Sequence, residues 1–360
     1  MCPPPFFTRY LWLVALFTLF AAVPVAVLNW RVDPLQFFRR ASYPPFFNTQ
    51  ARFQNPGLAR HYVSSTLILG TSVSLGYDLA HAGERLGTRP LNLAMQGASA
   101  HEQALLLGVA LRTGRVDRVV WDLNYEFFRG RPDWVSDYDG SFPRYFYDTN
   151  PLNDIPPYLL SRDTLKASAR VLLGRYPRMR IEELSRLHAT RKPGFESVRA
   201  AYDRARDGRF VFQTHPAEFA PELFRASFAA NVLAIVRAHP QVQFDLHFPP
   251  FSYAYHALIR DTAPASFEDE FRWKAHVEQE CRALPNVRLF DFQGMPDIVL
   301  DLGRYNDTVH FDSRTHDYLI DSIAADRHRA TPETLAQTES LLRREATPDW
   351  AARRSEAEPR

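Results

Sequence analysis

Short apolar runs that end in turn residues and hand over to helical segments recur along this chain, and that alternation limits its fold more than any other feature. Residues 66–69, 91–94, 118–122, 243–248 and 287–290 read as strands. Helices are expected near residues 75–82 and over 101–112, 224–238 and 271–284. Strand and helix in repetition call for right-handed crossovers and a parallel sheet. The chain has 360 residues, 46% of them hydrophobic, enough for one substantial core and an insertion.

The first strand runs into Gly70-Thr71-Ser72, and Val73 to Leu79 can begin a helix. Ser72 therefore falls on a strand-to-helix turn at the C-terminal edge of the sheet, where α/β enzymes place their chemistry. A helix N-cap is the plainer role for such a serine. Far downstream, Asp307-Thr308-Val309-His310 offers a partner. If this segment opens a helix, Asp307 and His310 share a face, and the carboxylate can accept the imidazole N–H. The other ring nitrogen is then free to take the serine proton. An Asp N-cap beside an exposed His is the alternative.

In block order the chain resembles the SGNH (GDSL-like) hydrolase superfamily. Ser72 matches the nucleophile, Gly97 in Asn92-Leu93-Ala94-Met95-Gln96-Gly97 the second block, Asn124 in Trp121-Asp122-Leu123-Asn124 the third, and Asp307 with His310 the last. The first block has Thr71 where most members carry Asp, and the third lacks the Gly two residues before its Asn. The resemblance implies a flavodoxin-like three-layer α/β fold with a Ser72–His310–Asp307 triad. It implies an oxyanion hole made by Ser72, Gly97 and Asn124, and no cofactor. Among its branches the chain looks most like the membrane-anchored envelope proteins, such as the D-alanyl transfer protein of teichoic acid synthesis and the alginate O-acetylation proteins. That likeness implies an O-acyltransferase or esterase acting on an envelope or exported polysaccharide. It also implies an acylated polysaccharide or acyl donor as substrate, and a multi-span membrane O-acyltransferase as a partner. The alternatives are a catalytically silent glycan-binding or assembly subunit and a peripheral lipase.

Residues 10–30 carry no charge and are about as long as the ~20 residues a bilayer-spanning helix needs. Trp30 and Tyr10 suit the two interfaces. The run is read as a single-pass anchor, with a cleaved signal peptide as the alternative. Arg9 on one side and Arg31, Arg39 and Arg40 on the other favour a cytoplasmic domain by local charge, whereas the resembled families work outside the membrane. An extracytoplasmic, periplasmic domain is the expectation adopted.

The expected organisation is an anchor over 1–31, a Pro- and aromatic-rich stalk over 32–60, an α/β domain over 61–330 interrupted by an insertion at about 126–220, and a tail over 331–360. The tail reads as one amphipathic helix, 332–345, followed by a disordered charged end. Aromatics in the first part of the insertion either stack on sugar rings as a lid or fill a small core of their own. His247-Phe248-Pro249-Pro250-Phe251-Ser252 reads as a rigid turn off the fourth strand. With 43 basic against 41 acidic residues, no global field favours nucleic acid. The basic and acidic residues of 178–183 read as a solvated helix face. Cys2 and Cys281 are an improbable disulfide pair, and no Cys/His cluster has zinc-site spacing.

Overall fold

The computed structural model describes residues 5–47, 50–138, 140–176, 193–208 and 210–351. The charged segment 178–183, Cys2 and the end of the tail lie outside them. Five parallel strands form one sheet in the order β2-β1-β3-β4-β5, with β1 Thr66–Leu69, β2 Pro90–Asn92, β3 Arg118–Asp122, β4 Gln243–Phe248 and β5 Val287–Asp291. This is the flavodoxin-like strand order, which brings the chain ends of β1 and β3 side by side. β1 is buried throughout, and β3 and β4 are buried after their first residue, as expected for a sheet covered by helices on both faces. One buried charge interrupts the apolar run of β4. Asp245 is held by Arg118 at 2.6 Å and Arg288 at 2.7 Å, from the strands on either side.

Local signals fix where the helices begin. Asp78 accepts the N–H groups of Ala80 and His81, so α3 spans Leu79–Leu86 and starts later than the apolar pattern at Leu75 implies. It ends at Gly87, whose φ of 66° is the left-handed conformation a glycine C-cap supplies. α4, Ala100–Leu111, opens with a capping box between Ser99 and the buried Glu102. The helix expected over 224–238 is divided into Pro221–Phe228, a π turn at Ala229–Leu233, and Ala234–Ala238. The tail helix is Pro332–Glu345. Cys281 is a buried free thiol in the helix Pro264–Arg282, and burial pushes its pKa up to about 12.

Compactness divides the chain into two units, Met1–Tyr62 with Pro143–Ile181, and Val63–Phe142 with Glu182–Arg360. The second contains the sheet. The first contains α1 Pro5–Val32, α2 Ala51–His61 and α5 Arg162–Leu172. α1 holds a 25-residue stretch, Thr8–Val32, whose most apolar 18-residue window has a mean hydropathy of 2.5, long and apolar enough to cross a membrane. Its C-terminal end turns on Asp33, a buried residue with φ of 50°. Gly57 in α2 lies against the backbone of Leu35 and Gln36, and a Cβ there would stand 2.6 Å from the Gln36 carbonyl oxygen.

Candidate active site

All five candidate residues lie in the unit that contains the sheet, three of them after strand ends on its C-terminal edge. β1 stops at Leu69, and Gly70 turns the chain with φ of 153°. Only glycine fits there, because a Cβ would stand 2.7 Å from the Cβ of Asp122. Ser72 follows as the first residue of a short 3₁₀ turn, Ser72–Ser74. Its hydroxyl caps nothing in that turn. It lies 2.8 Å from Nε2 of His310, and Nδ1 of the same ring lies 2.7 Å from Oδ2 of Asp307. The tautomer that satisfies both contacts donates Nδ1–H to the carboxylate and leaves Nε2 to accept from the serine.

The expected helix at 307–310 is absent; the next helix spans Ser313–Ala324. Asp307 makes its own turn instead, its Oδ1 accepting the N–H groups of Val309 at 2.9 Å and His310 at 2.8 Å. These side-chain bonds compete with helical backbone bonds and win. Burial works against the charge on Asp307. The hydrogen bond and electrostatic attraction of His310, with the two backbone donors, outweigh it and hold the carboxyl below its ordinary range. The Pro249–Ser252 turn secures this loop from behind. Ser252 donates its hydroxyl to the Thr308 carbonyl at 2.7 Å, and Tyr305 donates to the Pro250 carbonyl at 2.6 Å.

Gly97 has φ of 61°, and the Tyr138 ring, itself 58% exposed, lies directly on its Cα face. A Cβ at position 97 would stand 2.8 Å from the ring. The backbone leading to Gly97 is tied to the Ser72 turn by Met95 N–H on the Gly70 carbonyl, 3.0 Å, and by Asn92 Nδ2 on the Ser74 carbonyl, 2.8 Å. Among the described residues no acceptor takes the backbone N–H of Ser72 or of Gly97. Asn124 is buried after β3. Its Oδ1 accepts the Glu126 N–H at 3.2 Å, and its Nδ2 donates to the Thr71 hydroxyl at a long 3.4 Å.

Thr71 and Asp122 meet beneath the Ser72 turn. Asp122 stands two residues before Asn124, and its Oδ2 accepts from Thr71, through both N–H and hydroxyl at 3.4 Å, and from the Ser74 hydroxyl at 3.1 Å. Burial dominates its titration and pushes Asp122 up to about 7, against those hydrogen bonds. His316 was not singled out in the sequence. It is buried with Nε2 2.8 Å from the Val73 carbonyl, and the bare Cα of Gly76 makes room for its ring. His247 is also buried, and desolvation lowers its pKa to about 3, so its ring is neutral against the Tyr77 hydroxyl at 3.3 Å.

Among the described residues no group of three or more His, Cys, Asp or Glu side chains is arranged to hold a metal ion. No protein-family model matches the chain, and no curated protein matches it. Among solved structures it is similar to one described as "The structure of a putative platelet activating factor from Streptococcus pneumonia", at 12% identity and a TM-score of 0.38, covering 77% of this chain and 90% of that one. What the structure itself carries is an α/β fold with a parallel five-stranded sheet and one apolar N-terminal helix suited to crossing a membrane.

Proposed function

We propose that this chain is a membrane-anchored, SGNH-like serine acyl-ester enzyme, working on the extracytoplasmic side on an acylated envelope or exported polysaccharide. The observation that supports this reading is the unbroken relay from Ser72 Oγ through the His310 ring to Asp307. Ser72 attacks the ester carbonyl as its proton passes to His310 Nε2, and Asp307 stabilises the imidazolium that forms. The backbone N–H groups of Ser72 and Gly97, with the Asn124 amide, receive the oxyanion. Collapse expels the alcohol, which takes its proton from His310 and leaves the acyl group on Ser72. An incoming hydroxyl gives its proton to His310, attacks the acyl carbonyl and restores the serine. Water as that acceptor makes an esterase, and a sugar hydroxyl an O-acyltransferase.

An anchor is useful when the substrate, the acyl donor or a multi-span acyltransferase partner is itself at the membrane. A fluorophosphonate probe tests the reading on the full chain in detergent. Ser72 should be labelled, and both Ser72→Ala and His310→Ala should abolish labelling. A folded protein that resists the probe would instead be a silent glycan-binding or assembly subunit.

A further inference from the structure

From Thr8 to Ala21 every residue of α1 is exposed, and then the pattern changes. Ala22, Val25, Ala26, Asn29 and Val32 are covered, at the spacing of three and four that marks one helix face. The π turn Ile155–Leu159 and α5 pack against α1. Asn29, fully buried in an otherwise apolar helix, donates to the Leu159 carbonyl and accepts from the Ser168 hydroxyl, both at 2.8 Å. The last three turns of α1 are therefore built to meet protein.

The direction of the covering segment follows from its hydrogen bonds. Tyr158 donates to Asp33 at 2.7 Å, and Tyr176 donates to the carbonyl of Pro44, whose neighbour Tyr43 donates to the Val32 carbonyl at 2.9 Å, so both ends of the segment lie at the C-terminal end of α1. Between them the chain passes Asn29 at Leu159 and again at Ser168. The turn between those residues, 160–163, therefore projects along α1 toward Ala22, which is about 10 Å from Asn29 at 1.5 Å per residue. α5 runs parallel to α1, with its N-terminal turn facing the bilayer end. Leu160, at that turn, is 42% exposed, with Arg162 and Lys166 exposed on the first turns of α5. Leu172 and Leu173, each 63% exposed, are at the opposite end.

Given that α1 spans a bilayer, as proposed above, we infer that protein covers one face of α1 from Ala22 onward, while Val23, Val27 and Trp30 stay exposed on the other, and that the 160–163 turn rests on the membrane surface. Leu160 enters the interfacial layer and Arg162 faces the lipid phosphates, while Lys166 is paired with Asp163 at 3.1 Å. Deeper insertion would carry Asn29 and the charged start of α5 into hydrocarbon.

Three single-cysteine forms of the full chain, Val14→Cys, Leu160→Cys and Leu173→Cys in a Cys2→Ser background, test this, since Cys281 is buried. Each is labelled with an environment-sensitive fluorophore and reconstituted into phosphatidylcholine–phosphatidylglycerol vesicles, with and without lipids brominated near the headgroup end of the acyl chain. Quenching at position 160 should be several-fold greater than at 173. Label at position 14 should lie in the bilayer. Lipid quenching at 14 with none at 160, or more at 173 than at 160, overturns the inference alone. No quenching at 14 removes the anchor reading and the inference together.

Discussion

Two buried aspartates, one in each unit, show how the same side chain serves two purposes. Asp33, at the end of the apolar helix, accepts four hydrogen bonds, from Phe37, Phe38 and Arg39 N–H at 2.9 Å and from the Tyr158 hydroxyl at 2.7 Å. Asp122, beneath the Ser72 turn, accepts only the three longer ones on Oδ2, and its Oδ1 is buried without a partner. Burial raises the pKa of both. At Asp33 a saturated carboxyl locks a joint in a backbone conformation that non-glycine residues rarely adopt. At Asp122 a thinly bonded one sits next to the candidate nucleophile and titrates near neutrality.

The largest effect is expected at the relay itself. His310→Ala should lower acyl-ester turnover by ~10⁴-fold or more, and adding Ser72→Ala should change little further because the two groups act as one unit. Additive losses in steady-state kinetics would break that picture. Asn124→Ala should cost on the order of 10²- to 10³-fold in kcat if its amide faces the oxyanion. An unchanged kcat would reassign Asn124 to its Glu126 cap. Asp33→Ala strands four donors, two of them buried, and should destabilise its unit by about 3 kcal/mol, read as an earlier unfolding transition in urea. A shift of a few tenths would mean the joint is held by other contacts.

A pH-dependent effect is the one most specific to the contrast between Asp33 and Asp122. In the unfolded chain Asp122 ionises near its ordinary 3.8, and in the fold at about 7. Between those values the folded state holds the extra proton, so this contribution to stability declines as pH rises through the window and levels off above it. Asp122→Asn removes the dependence. Urea titrations from about pH 4.5 to about pH 7.5 should show the variant gaining on the wild type as pH climbs. Parallel profiles would show that Asp122 keeps the same charge throughout.

β3, β4 and the helix Pro332–Glu345 have the bounds expected from the sequence, because apolar runs and a Thr331 cap define them locally. Ser72, Asp307 and His310 were nameable for the same reason, as short blocks beside strand ends and turns. What was not legible depends on distant partners. The 307–310 segment looked helical because only its spacing was visible. Its actual turn depends on the Asp307 side chain and on Ser252, which holds the Thr308 carbonyl from 56 residues away. The Thr71–Asp122 contact could not be read from the sequence, because it forms only when β3 lies beside β1. His316 gave no signal, since its partners are the backbone carbonyls of Val73 and Asp312.

The central claim is that Ser72 carries an acyl group during the reaction. Brief incubation of the full chain with p-nitrophenyl acetate, acid quench and peptide mapping by mass spectrometry tests it directly. An acetyl adduct should form on the peptide containing Ser72 in the wild type, in a burst with p-nitrophenol release, and should be lost in His310→Ala. Acetylation confined to other residues, or turnover that continues in Ser72→Ala, would contradict it.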